Sequence, residues 1–210
     1  MRAISLLSGG KDSFLSALFA MDQGMDVVLS ITVKPEEYSE MFHFPNVDIS
    51  SYVSSLLGIK NIQIEEDKFY TQVPEIAREY DAKVLVSGAI ASNFQKTRIE
   101  RMCTENRLIS YTPLWMVDQI REVREVISSR IKAALVSVSA EGLGEDMLGK
   151  VIDEVLLEKL TGLWQRYKIN ISGEGGEYES LVMGWFRNSI PVERFEKIWN
   201  GTSGYLRFHD

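Results

Sequence analysis

The chain has 210 residues, 45% apolar and 25% charged, with a net charge of −7 and one cysteine, Cys103. That length holds one large domain or a main domain with a smaller one, and nine Phe, eight Tyr and four Trp supply ample core. A lone cysteine excludes an intrachain disulfide, a cysteine-rich zinc cluster and two-thiol chemistry, and the acidic balance argues against a broad nucleic-acid surface. No apolar run approaches the ~18 residues of a membrane span, and the N-terminal MRAISLL is too short for a signal segment, so a cytoplasmic protein with no membrane partner is expected.

In chain order, residues 3–7 read as a buried strand. Residues 12–23 follow as a helix with Phe14, Leu15, Leu18 and Phe19 on one face, ended by Gly24. Residues 26–33 form a second strand, 48–57 a short helix closed by Gly58, 62–64 a third strand, and 74–80 lie in a helix. Residues 83–87 are a fourth strand, followed by Gly88, and 93–107 a helix. This alternation predicts an α/β fold, a doubly wound and mostly parallel sheet with helices on both faces. After Arg130 the pattern changes: a strand at 131–138, a glycine-containing loop at 141–149, a long amphipathic helix at 151–167, the string SGEGGEYES, and a strand-like run at 181–190. We therefore expect a nucleotide-binding domain at 1–130 and a smaller α+β region at 131–210 that closes over its site and binds the substrate.

Ser8, Gly9, Gly10, Lys11, Asp12 and Ser13 stand between the first strand and its helix. Two glycines let the backbone approach oxygen atoms, so that several amides point into one concavity, and the helix N-terminus adds partial positive charge. Ser8 and Ser13 offer hydroxyls, Lys11 a point charge and Asp12 a carboxylate for Mg²⁺. The spacing is neither the GxxxxGK[ST] nor the GxGxxG pattern. A tight turn with Asp12 or Ser13 as a plain helix cap is the competing structural explanation.

SGGKDS resembles the pyrophosphate loop (PP-loop) of the N-type ATP pyrophosphatases, in which the loop grips the β- and γ-phosphates while a substrate oxygen attacks the α-phosphorus. The resemblance implies an adenine-nucleotide α-hydrolase-like (HUP) sheet, ATP with Mg²⁺, and AMP and pyrophosphate as products. Four further strings extend it: Glu40-Met41-Phe42-His43; Gly88-Ala89-Ile90 leading to Ser92-Asn93-Phe94-Gln95-Lys96; Pro113-Leu114-Trp115; and Gly173-Glu174-Gly175-Gly176-Glu177-Tyr178-Glu179-Ser180. In this order they are similar to the diphthine–ammonia ligase family, in its short archaeal form without appended C-terminal domains. That implies adenylation of a diphthine carboxylate on translation elongation factor, then amidation by ammonium-derived ammonia. Ligands of such sheets bind beyond the strand ends, which places the nucleotide near Val33, His43, Ser87, Gly88, Ala89 and Gln95.

Several of these residues have plain structural explanations too. Ser92 with Gln95 fits a capping box, Lys96 and Arg98 fit either a place near the phosphates or solvated positions, Trp115 and Phe94 fit core positions, and Cys103 a small core residue. His43 fits a structural loop histidine as well as a pocket residue. In the glutamate-rich loop, Gly173, Gly175 and Gly176 make ordering costly without a ligand. Glu174 and Glu177 with the face of Tyr178 would suit a quaternary ammonium group, with Gly175, Gly176 and Glu179 completing the contact. Alternatively, one glutamate binds ammonium or deprotonates it. Two other functions fit parts of the pattern: a tRNA-modifying PP-loop enzyme, and an ATP-binding regulator of the stress-protein type without turnover. A symmetric homodimer is the default assembly.

Overall fold

The computed structural model describes residues 1–35, 49–192 and 194–208. They form two compact units, Met1–Trp115 and Met116–Asp210. The division falls earlier than the expected 130/131, because the helix Gln119–Ser128 packs on elements of the second unit.

In the first unit, β1 (Arg2–Leu6), β2 (Asp26–Lys34), β3 (Lys60–Glu65), β4 (Val84–Val86) and β5 (Ile109–Tyr111) make one parallel sheet in the order β3-β2-β1-β4-β5. Among the described residues, four α-helices connect them: α1 (Lys11–Asp22), α2 (Ser50–Leu56), α3 (Phe69–Glu79) and α4 (Asn93–Glu105). Ile4, Leu29, Ile31 and Leu85 bury one sheet face against Phe69, Val73, Ile76, Met102 and Cys103. Ala3, Val27, Val84 and Val86 bury the other with Ala20 of α1. Apolar runs covered on both faces are what a parallel sheet requires. The α/β fold expected from the sequence is therefore the one observed. The chain moves outward from β1 to β3, then returns to place β4 on the other side of β1. The strand order thus reverses between β1 and β4, the point where α/β sheets open a crevice for ligands.

The second unit contains α5 (Gln119–Ser128), β6 (Ile131–Val138), α6 (Glu154–Tyr167), β7 (Tyr178–Trp185), β8 (Asn188–Ser189), β9 (Phe195–Trp199) and β10 (Gly204–Phe208). Its strands form an antiparallel sheet in the order β8-β7-β6-β10-β9. Asp118 caps α5 by accepting from the Arg121 N–H at 3.0 Å, and Asp153 caps α6 by accepting from the Leu156 N–H at 2.8 Å. That second cap starts α6 three residues after the predicted 151, and Val151 instead bridges Ala134 of β6. The predicted run at 181–190 is two strands broken at Phe186, where φ is +52°. Among the described residues, no helix is long and apolar enough to cross a membrane.

At the switch point, backbone packs closely on backbone. A Cβ on Gly88, just after β4, would lie 2.6 Å from Ser13 N and 2.8 Å from both Asp12 C and Ser13 Cα. Any side chain there collides with backbone that cannot swing away. We expect Gly88→Ala to lower stability by about 1–3 kcal/mol, read as an earlier denaturant midpoint. An unchanged midpoint would show that the first turn of α1 yields freely.

Candidate active site

The loop from Leu7 to Gly10 leaves β1 at the C-terminal edge of the sheet and enters α1. Gly9 has φ +95°, open to glycine and strained for other residues, and it reverses the chain. Gly10 occupies the N-cap of α1 with extended φ/ψ and, having no side chain, supplies no side-chain cap. The serines tie the loop to the helix instead. Ser13 Oγ donates to Gly10 O at 3.0 Å and accepts from the Ser8 N–H at 3.3 Å, while Ser8 Oγ accepts from the Gly10 N–H at 3.3 Å. The two hydroxyls lie 3.2 Å apart.

Lys11 is 1% exposed, and its Nζ reaches both oxygens of Asp12, at 2.6 and 2.8 Å. A buried ammonium requires such a partner. Asp12 is half-buried and is the carboxylate at the mouth of the loop. Mg²⁺ commonly takes one or two carboxylates and completes its shell with phosphate oxygens and water, so a single aspartate beside a phosphate cradle fits it. The described residues contain no group of three or more His, Cys, Asp or Glu that would hold a metal unaided.

Across the switch point, Ser87 is 3% exposed, its N–H donates to Tyr111 O at 3.0 Å, and its hydroxyl lies 3.4 Å from Thr112 Oγ1. Gly88 touches the start of α1 as described, and Ala89 is buried at 6%. Val33 is the penultimate residue of β2 on the same edge, and its side chain lies in the core with Ile64 and Phe69. Gln95 is half-buried in the first turn of α4, where its N–H donates to the Ser92 hydroxyl at 3.3 Å, the cap read from the sequence. His43, and with it the string from Glu40, lies outside the described residues.

Lys96 pairs with Glu100 and lies 4.9 Å from the Trp115 ring centroid. Arg98 donates to the Tyr70 hydroxyl at 2.9 Å and stacks 4.7 Å from Phe94. Phe94, expected in the core, is instead 45% exposed, because the first turn of α4 carries it outward over Arg98. Cys103 is buried as expected. Burial pushes its thiol up to about 11, with Glu100 adding to the shift, so it stays protonated at neutral pH and is a poor nucleophile.

In the second unit the glutamate-rich loop is ordered by its own atoms. Glu177 Oε1 accepts from the Asn170 N–H at 2.8 Å, and its carboxylate folds over Gly175, where a Cβ would come within 2.8 Å of it. Asn170 Oδ1 accepts from Ser172 N and Oγ at 2.9 and 2.6 Å. Ser139 Oγ donates to Gly176 O at 2.5 Å, and the Ser139 N–H to Glu177 O at 2.9 Å. Tyr178 is 3% exposed, donates its hydroxyl to Ile171 O at 2.7 Å and presses its ring on Gly173. That ring has no room to face a quaternary ammonium, which corrects the aromatic role expected for Tyr178. The expected ordering cost of the loop is met by these hydrogen bonds rather than by a ligand. Glu174 and Glu179 are half-buried, and Gly175 and Gly176 are exposed at the tip. Asn170 and Ser139 escaped the sequence reading, although Asn-x-Ser-Gly is a recognisable Asx-turn pattern.

Residues 1–110 match the Diphthamide synthase N-terminal domain and residues 118–210 the Diphthamide synthase C-terminal domain. The chain belongs to the diphthamide synthase family. The two matches part on either side of Trp115 and Met116, where the compact units divide. Relatives named diphthine–ammonia ligase from Mus musculus, Homo sapiens and Danio rerio are 29%, 28% and 27% identical to it. The alignments span 98%, 99% and 99% of this chain and 88%, 91% and 94% of theirs. EGGEYES, the last of the four strings that carried the family resemblance, is partly a structural staple. Glu177→Gln keeps an acceptor for the Asn170 N–H and should leave stability near native. Glu177→Ala should cost about 1–3 kcal/mol and speed exchange of the Asn170 amide. Equal protection of that amide in both variants would remove the staple.

Proposed function

We propose that the protein is an ATP-dependent, AMP-forming ligase that converts diphthine to diphthamide. The observation that carries this reading is the glycine- and serine-rich loop that enters α1 at the β1/β4 switch point, in a chain whose halves match both domains of diphthamide synthase. A diphthine carboxylate oxygen attacks the α-phosphorus of ATP and pyrophosphate leaves. Ammonia then attacks the acyl carbon of the mixed anhydride, AMP departs and a proton is released. Ser8 to Ser13 hold the β- and γ-phosphates through backbone amides and the α1 N-terminus. Lys11 supplies the cation, and Asp12 would hold Mg²⁺, which supplies charge neutralisation for the leaving pyrophosphate. Val33, Ser87, Gly88, Ala89 and Gln95 border the nucleoside. In the second unit Glu174, beside the exposed Gly175-Gly176 tip, takes the acceptor's cationic group or the ammonium ion, while Glu177 and Tyr178 shape the loop beneath it. The acceptor is the diphthine-bearing elongation factor, in the cytoplasm.

Two readings compete with this one. A tRNA-modifying enzyme that transfers sulfur through paired thiols does not suit a chain with Cys103 alone, protonated and buried. A regulator without turnover needs no ammonium or acceptor site. AMP release separates all three: it should require ATP, ammonium and the diphthine-bearing factor, and bulk tRNA should not replace the factor. Asp12→Asn should slow it by at least ~10²-fold in every condition. Glu174→Gln should lower only the acceptor-dependent rate, roughly 10- to 100-fold, with nucleotide affinity kept. Loss of ATP binding in Glu174→Gln would move that residue to the nucleotide or metal site.

A further inference from the structure

The sheet face between β2, β3 and α2 is polar and yet closed to solvent. Ser30 and Thr32, two apart on β2, point to one side, and Ser30, Thr32, Ser50 and Ser54 are each at most 1% exposed. Asn61 on β3 donates through Nδ2 to Ser30 Oγ and to Thr32 Oγ1, both at 2.9 Å. Ser50 Oγ lies 3.4 Å from Asn61 Oδ1, and Ser30 Oγ 2.6 Å from Ser54 Oγ. Thr32 Oγ1 donates to Leu7 O at 2.6 Å. The order of donors is forced. A carbonyl only accepts, so the one Thr32 proton is committed to Leu7, and the Thr32 lone pairs must face a donor, the Asn61 amide group.

Leu7 stands where the β1 ladder ends. Its N–H still donates to Ile31 O at 2.9 Å, while its carbonyl takes the Thr32 hydroxyl. That carbonyl shares a rigid peptide plane with the Ser8 N–H, which donates to Ser13 Oγ. The plane is gripped at both ends, by Thr32 below the sheet edge and by Ser13 from α1.

We propose that Thr32 is a positioning residue for the phosphate loop, its hydroxyl oriented by Asn61 and fixing the Leu7–Ser8 peptide from which the loop departs. This rests on the reading of residues 8–13 as the phosphate loop. The test is calorimetric titration of the whole protein with Mg-ATP, alongside thermal unfolding. Thr32→Val keeps the shape and removes the hydroxyl, and should weaken ATP binding roughly 10-fold or more, while Thr32→Ser should stay within about 2-fold of native. Asn61→Asp, which turns the Thr32 proton from Leu7 to a carboxylate, should weaken binding to the same extent as Thr32→Val. Native affinity in Thr32→Val, or in Asn61→Asp should Thr32→Val not fold, overturns the proposal. Failure of both to fold overturns it too, by assigning the network to stability alone. Lys11→Met separates the two levels: if it binds ATP normally the phosphate-loop reading fails, whereas if it alone loses ATP the loop stands and Thr32 does not position it.

Discussion

Gly88 lies so close to the first turn of α1 that one added carbon would meet Ser13 N at 2.6 Å, and much of the first unit follows from that approach. It brings the segment after β4 against the helix that begins after β1, across the place where the strand order reverses. The approach is one of backbone to backbone, beside a helix N-terminus whose amides suit an anion with many oxygen atoms. Side chains play a smaller part there: Ser87 and Ala89 are buried, and Val33 is turned into the core. Glycine at 88 is thus dictated by packing against the first turn of α1.

Electrostatics at the loop have a corresponding economy. Lys11 and Asp12 hold each other with the ammonium fully buried, so the pair adds no net charge at the mouth of the site. Attraction for a polyanion then rests on the α1 N-terminus and its amides.

The alternation of residues 3–87 made the parallel sheet legible, because strands buried on both faces are continuous apolar runs and their helices have clear faces. The weaker elements did not stand out. In α5, QIREVREVIS has a regular apolar stripe, but the helix is only ten residues long and one of its three fully buried residues, Glu122, is charged. β9, with FEKIW, has no fully buried residue, and β5 is three residues long. Their place is decided by neighbours, β10 for β9 and β4 for β5, which no local pattern reports. In the candidate site, residue types were legible but commitments were not. SGGKDS announced a phosphate loop, yet that Lys11 would be held by Asp12, or that Lys96 and Arg98 would be held by Glu100 and Tyr70, depends on side-chain geometry.

The glutamate-rich string carries the sharper lesson about motifs. Three carboxylates in six residues invite a reading in which all face a ligand, but a loop with glycines at 173, 175 and 176 must first hold its own shape. Glu177 does so by accepting the Asn170 amide, and Tyr178 by burying its ring and donating to Ile171. This work needs only an oxygen acceptor on a side chain of this length, and a glutamate supplies one. Its negative charge also sits beneath the exposed tip formed by Gly175 and Gly176. A cation arriving at Glu174 would meet that second charge at longer range, without a direct contact. The string is then best understood in two layers, a framework of Asn170, Glu177 and Tyr178 and a tip whose chemistry the framework sets.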